Sequence, residues 1–222
     1  MRLDKAAAAE DFEVSKVVAI IRGMEPDVAV KLAEAYCRGG IRFVEVTFAQ
    51  GGDPAPTLES IKAIADRLGG GMRVGAGTVL ADGQLDAAVA AGAEFMVTPN
   101  TNPGLIRRAN AAGLLTMPGA LTPTEIEAAH AAGADYVKVF PARAFGPQYV
   151  RDVLAPLRAV KLVAVGGVSA ANAADYIAAG CHGIAVSGAL CDRRRIAAGD
   201  WAGIEVVARE IVEAVKIGGE RL

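Results

Sequence analysis

"AAGADYVKVFP", residues 131–141, holds a helix end, a turn and a strand in one short run. The alanines suit the last turn of a helix, and Gly133 is the residue that stops one, because a left-handed backbone conformation costs glycine nothing. The β-rich run that follows ends at Pro141. The same joint recurs as "RGGIRFVEVTF" (38–48), "AAGAEFMVTPN" (90–100), "AAGLLTMPG" (111–119) and "AAGCHGIAVSG" (178–188). A helix-to-strand joint repeated along a chain points to a parallel sheet wrapped by helices.

Working outward from these joints gives eight strand segments: 17–22, 43–48, 73–79, 95–100, 114–119, 136–141, 162–168 and 183–188. Between them lie helical patterns such as "PDVAVKLAEAYCR", "PTLESIKAIADRL" and "PTEIEAAHAA", several opened by proline, which suits the first helical position. Eight strands alternating with eight helices predict an α/β fold of the (β/α)8 TIM-barrel kind, a single domain over residues 1–222. An additional N-terminal helix, about residues 3–14, is expected to cover the bottom of the barrel.

Composition narrows the function classes. No apolar run among the 222 residues approaches the ~18 needed to span a bilayer, and the start mixes charges without a signal-peptide core. A net charge of −2 without a basic block leaves no footprint for nucleic acid or an anionic membrane, so small molecules are the expected partners. Three cysteines without a CxxC pair fit a reducing cytoplasm and do not suggest metal ligands.

Within "YVKVFP" the lysine is out of place, since burying an ammonium ion is costly. Lys138 is either half of a buried ion pair or an amine whose reactivity depends on a dry site. Side chains alternate along a strand, so Val137 and Val139 share the face that suits apolar helices, while Tyr136, Lys138 and Phe140 point into the barrel. "FVEVTF" likewise places Val44 and Val46 outward and Phe43, Glu45 and Thr47 inward. The second and sixth strands are both even-numbered and feed the same interior layers, so Glu45 and Lys138 are expected to face each other.

Barrel chemistry sits at the C-terminal ends of the strands. Arg22, Thr78, Thr98, Pro99 and Phe140 all fall there, and Arg22 offers a planar fork that matches a carboxylate. Gly75 and Gly77 leave room in the lumen for a substrate or a bulky neighbour. "VGGVSAAN", with Gly166 and Gly167 ahead of a helix capped by Ser169, and "VSGAL", with Ser187 and Gly188, occupy the loops where many barrels hold a phosphate.

These residues, with "VVAIIRG", "VGAGTVL", "VTPN", "MPGALTPTEI", "VKVFPA", "GPQYV" and "AVGGVS", make the chain resemble, over nearly its whole length, the pyruvate-dependent class I aldolases. Those enzymes act on 2-keto-3-deoxy-6-phosphogluconate (KDPG) and 4-hydroxy-2-oxoglutarate (KHG). The resemblance implies a Schiff-base lysine at Lys138, a proton shuttle at Glu45, carboxylate binding near Arg22 and Thr78, and substrate packing on Pro99 and Phe140. It also implies phosphate binding by Gly166, Gly167, Ser187 and Gly188, no metal or other cofactor, and a homotrimer. The chain departs from the family pattern in three places. Ala49 stands where some members carry an arginine, which shifts carboxylate binding toward Arg22. Val165 replaces a threonine, as in the aldolases for the galactonate epimer. Ser187 and Gly188 reverse the usual Gly-Ser order. Two other readings remain at this point, a phosphosugar isomerase or epimerase on the same fold and a catalytically silent barrel that binds a carboxylated metabolite.

Overall fold

The computed structural model describes residues 4–221. Helix α1 (Lys5–Ser15) leads into strand β1 (Val17–Ile21), and the alternation continues with α2 (Pro26–Arg38), β2 (Phe43–Thr47), α3 (Ala55–Leu68), β3 (Arg73–Gly77), α4 (Asp82–Ala90), β4 (Phe95–Val97) and α5 (Pro103–Ala111). The second half holds β5 (Leu115–Met117), β6 (Gly119–Ala120), α6 (Pro123–Ala131), β7 (Val137–Val139), α7 (Gly146–Leu154), β8 (Leu162–Val165), α8 (Ala170–Ala178), β9 (Gly183–Val186), α9 (Arg193–Ala198) and α10 (Trp201–Gly219). A 3-10 turn, Ala142–Ala144, follows β7.

All the ladders are parallel, in the order β5-β4-β3-β2-β1-β9-β8-β7-β6. The expected fifth strand is divided by Pro118, which has no N–H to give a ladder. Its first part pairs with β4 and its second with β7, so one short segment bridges both edges and closes the barrel. The Pro118 carbonyl still takes part, accepting from the Lys138 amide at 2.8 Å.

The local signals act as expected. Gly40, Gly92, Gly113, Gly133 and Gly180, one in each repeated joint, all have positive φ. Thr122 and Glu125 form a reciprocal cap at the start of α6, with Pro123 at its first position. The N-terminal helix runs from Lys5 to Ser15, and residue 3 of the expected span lies outside the described residues. Asp4 sets its start by accepting from the Ala7 amide at 3.0 Å.

Strand parity divides the core in two. Val44, Val46, Val137 and Val139 belong to the apolar layer between sheet and helices, with residues such as Leu32, Ile61 and Ile177. Phe43, Phe95, Tyr136, Val163 and Val165 fill the barrel. Phe12 of α1 plugs it from below, its ring meeting Phe43 and Tyr136 edge-on with centroids 5.2 and 4.7 Å away. A Cβ on Gly183 would come within 2.6 Å of the Phe12 ring, so the plug needs glycine at that point of β9.

Candidate active site

Above the aromatic layer the lumen holds two ionisable side chains. Glu45 is 1 % exposed and Lys138 is 5 % exposed. β2 and β7 are each flanked by apolar residues on their outer face, and that flanking turns both side chains inward. The two form no direct ion pair. They act on each other at longer range: burial lowers the affinity of the Lys138 amine for its proton, Glu45 opposes that drop, and Arg22 adds to it. Burial also raises the pKa of Glu45, against the pull of Lys138 and Arg22. For both groups desolvation outweighs the opposite charge, so each is pushed toward its neutral form.

Glu45 is seated by a gap in β3. A Cβ on Gly77 would lie 1.8 Å from Glu45 Oε1, so the carboxyl occupies the space a side chain would take. Glu45 Oε2 is buried and has no hydrogen-bond partner among the described residues. Gly75 serves a neighbour instead, because its Cβ would fall 2.5 Å from three atoms of the Phe95 ring. The room expected at both glycines is taken by Glu45 and Phe95.

Around the mouth, Arg22 follows β1 directly and is exposed. Thr78 follows β3 with φ of +57°, and Gln50 Nε2 donates to its carbonyl at 3.1 Å. A β-branched residue rarely adopts that conformation, and such strain gathers at functional sites. Pro99 is half-buried beyond β4, while Thr98 accepts from the Gly119 amide at 3.3 Å and so has a structural task. Phe140, 36 % exposed, lies under the amine, with Lys138 Nζ 4.8 Å from its ring centroid.

Beyond Phe140 lie Gly166 and Gly167, with φ of +94° and +83°. The first packs on Phe140, whose Cδ2 would be 3.3 Å from a Cβ there. Ser187 has its hydroxyl turned to strand β1, donating to the Ile20 carbonyl at 3.4 Å, and Gly188 is exposed. The site residues read from the sequence thus gather at the C-terminal end of one barrel. A concavity of about 720 Å³ lies elsewhere, at the opposite end, lined by Lys16, Gly70, Met72 and Lys216. His130 and His182 are also remote, and no group of three metal-ligating side chains occurs among the described residues.

Residues 9–207 match the model of the family described as KDPG and KHG aldolase. The chain belongs to that family. It is 41% identical over 169 residues to a 2-dehydro-3-deoxy-6-phosphogalactonate aldolase from Escherichia coli (strain K12), covering 75% of this chain and 80% of that one. It is 32% identical over 215 residues, 96% of this chain and 98% of the other, to a KHG/KDPG aldolase of the same strain. A solved structure described as native KDPGal superposes with a TM-score of 0.82 at 36% identity, covering 92% and 96% of the two chains. As a member of the KDPG and KHG aldolase family the protein is an aldehyde-lyase of the class that forms a lysine Schiff base with pyruvate.

Sequence reading passed over Gln50, Cys191 and Arg143. Cys191 Sγ donates to the same Ile20 carbonyl as Ser187, at 3.2 Å, and stands 3.4 Å from the Tyr36 hydroxyl. Only Arg143 carried a usable signal: it lies two residues past the "VFP" end of the lysine strand, on the side of the glycine pair.

Proposed function

We propose that Lys138 is the Schiff-base nucleophile and Glu45 the proton carrier in cleavage of a 2-keto-3-deoxy-6-phospho sugar acid to pyruvate and glyceraldehyde 3-phosphate. The observation that carries this is an amine and a carboxyl, both desolvated, facing one sealed lumen without neutralising each other by contact. An amine at its ordinary pKa of 10.5 is protonated at neutral pH, and burial moves it toward the free base that can attack. The Lys138 nitrogen adds to the C2 ketone. Glu45 supplies the proton with which the carbinolamine hydroxyl leaves as water, giving the iminium. The C3–C4 bonding electrons then flow into the iminium while the C4 hydroxyl passes its proton to the Glu45 carboxylate, and the aldehyde departs. Glu45 protonates C3 of the remaining enamine, and water releases pyruvate and restores the amine.

Arg22 and Thr78 hold the substrate carboxylate, Pro99 and Phe140 flank the reacting carbons, and the glycine pair with the Ser187–Gly188 loop receives the phosphate. Val165, in a place where gluconate-type members carry threonine, favours the galactonate epimer, as does the 41% identical relative named for it. 4-Hydroxy-2-oxoglutarate, which yields glyoxylate, is the further substrate. Three free cysteines fit a cytoplasmic enzyme. The homotrimer implied by the family is tested by sedimentation.

Borohydride reduction in the presence of pyruvate tests the chemistry. The reduced adduct is expected on Lys138 by peptide mass, and an unmodified Lys138 would end the assignment. Comparing cleavage of both phosphorylated epimers with that of 4-hydroxy-2-oxoglutarate then identifies the aldehyde partner.

A further inference from the structure

We infer that Arg143 is a phosphate-recognising residue of this enzyme and sets its preference for phosphorylated over unphosphorylated keto acids. The inference rests on the reading above, in which the phosphate meets the Gly166–Gly167 loop.

Arg143 sits in the 3-10 turn directly after β7, so the strand that delivers Lys138 to the lumen also delivers this cation to the rim. Its own amide donates to the Gly166 carbonyl at 3.0 Å, which fixes the turn to the glycine loop. Its stem lies flat on that loop: a Cβ on Gly167 would come within 2.6 Å of Arg143 Cβ, 3.0 Å of Cδ and 3.2 Å of Cγ. The backbone and the aliphatic part are held, and the guanidinium is carried past Gly167 on the exposed side.

The guanidinium has no ion-pair partner among the described residues. Other surface arginines, such as Arg107 and Arg151, share that lack; what sets Arg143 apart is its stem held against Gly167. Beside it, the amides of Gly167 and Val168, just past the end of the β8–β9 ladder, donate to no backbone acceptor among the described residues. Two successive glycines of positive φ leave this stretch of backbone bare of side chains, so an anion can approach its amides closely. Ser187, whose hydroxyl is spent on Ile20, and Gly188, which has none, leave the loop opposite without a side-chain donor aimed at this point. A planar guanidinium can give a phosphate monoester two parallel hydrogen bonds and a full charge, both absent from a neutral hydroxyl terminus. The path from Lys138 to Arg143 runs over Phe140 and Gly166, in the order in which C2, the carbon chain and the phosphate of such a substrate would lie.

The test compares 2-keto-3-deoxy-6-phospho sugar acid with its unphosphorylated counterpart in the parent, Arg143→Ala and Arg143→Lys. The ratio of kcat/KM for the phosphorylated over the unphosphorylated substrate is expected to fall about 10- to 100-fold in Arg143→Ala, the size of a lost charge-assisted contact. The fall should appear mainly in KM. Arg143→Lys, which keeps the charge and the stem on Gly167, should recover part of it. Inorganic phosphate should compete with the phosphorylated substrate, and do so about tenfold less well in Arg143→Ala.

A parallel loss on both substrates, or an unchanged ratio, overturns the inference. Pyruvate labelling of Lys138 separates its failure from failure of the underlying reading. A parent that labels normally yet shows no preference for the phosphorylated substrate refutes the role of Arg143 alone, whereas a parent that neither labels nor cleaves refutes both.

Discussion

Gly77 is the position at which a single methyl group acts on the chemistry through packing alone. A Cβ there would sit 1.8 Å from Glu45 Oε1, 2.4 Å from Cδ and 2.5 Å from Cγ. Heavy atoms at rest keep about 3.5 Å apart, so in Gly77→Ala the carboxyl must withdraw by more than ~1 Å. It withdraws within a packed interior, since Glu45 is buried and the Phe95 ring occupies the space at Gly75 below. Overpacking of this kind costs about 1–3 kcal/mol. In a chain of this length that corresponds to a Tm lower by roughly 2–12 °C. A displacement of about 1 Å in a proton-transferring group is worth on the order of 100-fold in rate. Pyruvate release followed through NADH oxidation by lactate dehydrogenase measures turnover, and thermal melts measure stability. Gly75→Ala is the comparison: its Cβ meets the Phe95 ring at 2.5 Å, so a similar fall in Tm should come with less than about a tenfold loss of kcat. Gly77→Ala turning over within about twofold of the parent, with the expected fall in Tm, would refute the claim that Glu45 must stay where β3 seats it.

Because burial lowers the Lys138 amine below 10.5 while Glu45 opposes the drop, the acid limb of kcat/KM should lie below 10.5 and move to lower pH in Glu45→Gln. The same substitution should slow turnover by about 100- to 10,000-fold, and a limb that stays in place would show that the two groups do not sense each other. Between the lowered folded value and 10.5 the unfolded chain binds the more protons at Lys138, so this residue makes stability rise with pH across that window. Melts of Lys138→Met should lack the rise, and an identical pH dependence would place the amine in solvent. Thr78→Gly relieves a left-handed conformation that costs an L-residue ~1–2 kcal/mol but adds about 0.5–1 kcal/mol of glycine entropy. The variant should melt no lower than the parent and up to about 4 °C higher, with a raised KM from loss of the hydroxyl. An unchanged KM would remove Thr78 from carboxylate binding.

The barrel was legible because each joint carries its own punctuation. A helix end, a helix-stopping glycine and a β-rich run recur in the same order, and the five joint glycines adopt the conformation for which glycine is needed. The inward direction of Lys138 and Glu45 followed from the valines alternating with them, since parity survives whatever the tilt of the strand. Local chemistry alone did not reveal how Pro118 would act. A proline ends a ladder on one side only, and whether the chain resumes pairing depends on the neighbouring strand. The φ of Thr78 leaves no mark in the sequence around it, and the Ser187 hydroxyl meets the Ile20 carbonyl, a partner distant in sequence. Arg143 was hidden for the opposite reason. On its own it reads as an ordinary loop arginine, and it gains meaning only when the turn after β7 lies against the β8 loop.

The aromatic plug supplied by Phe12 turns the barrel into a vessel with one doorway. Whatever enters past the rim must leave by the same route, so the two fragments queue. On the proposed assignment, with Lys138 as nucleophile and the phosphate at the rim, the aldehyde half stands nearer the exit and goes first, while the ketone half waits, still tethered to nitrogen at the inner end. A newly arrived aldehyde therefore meets the tethered fragment from above, and the reverse, bond-forming direction is built into the same single-file geometry.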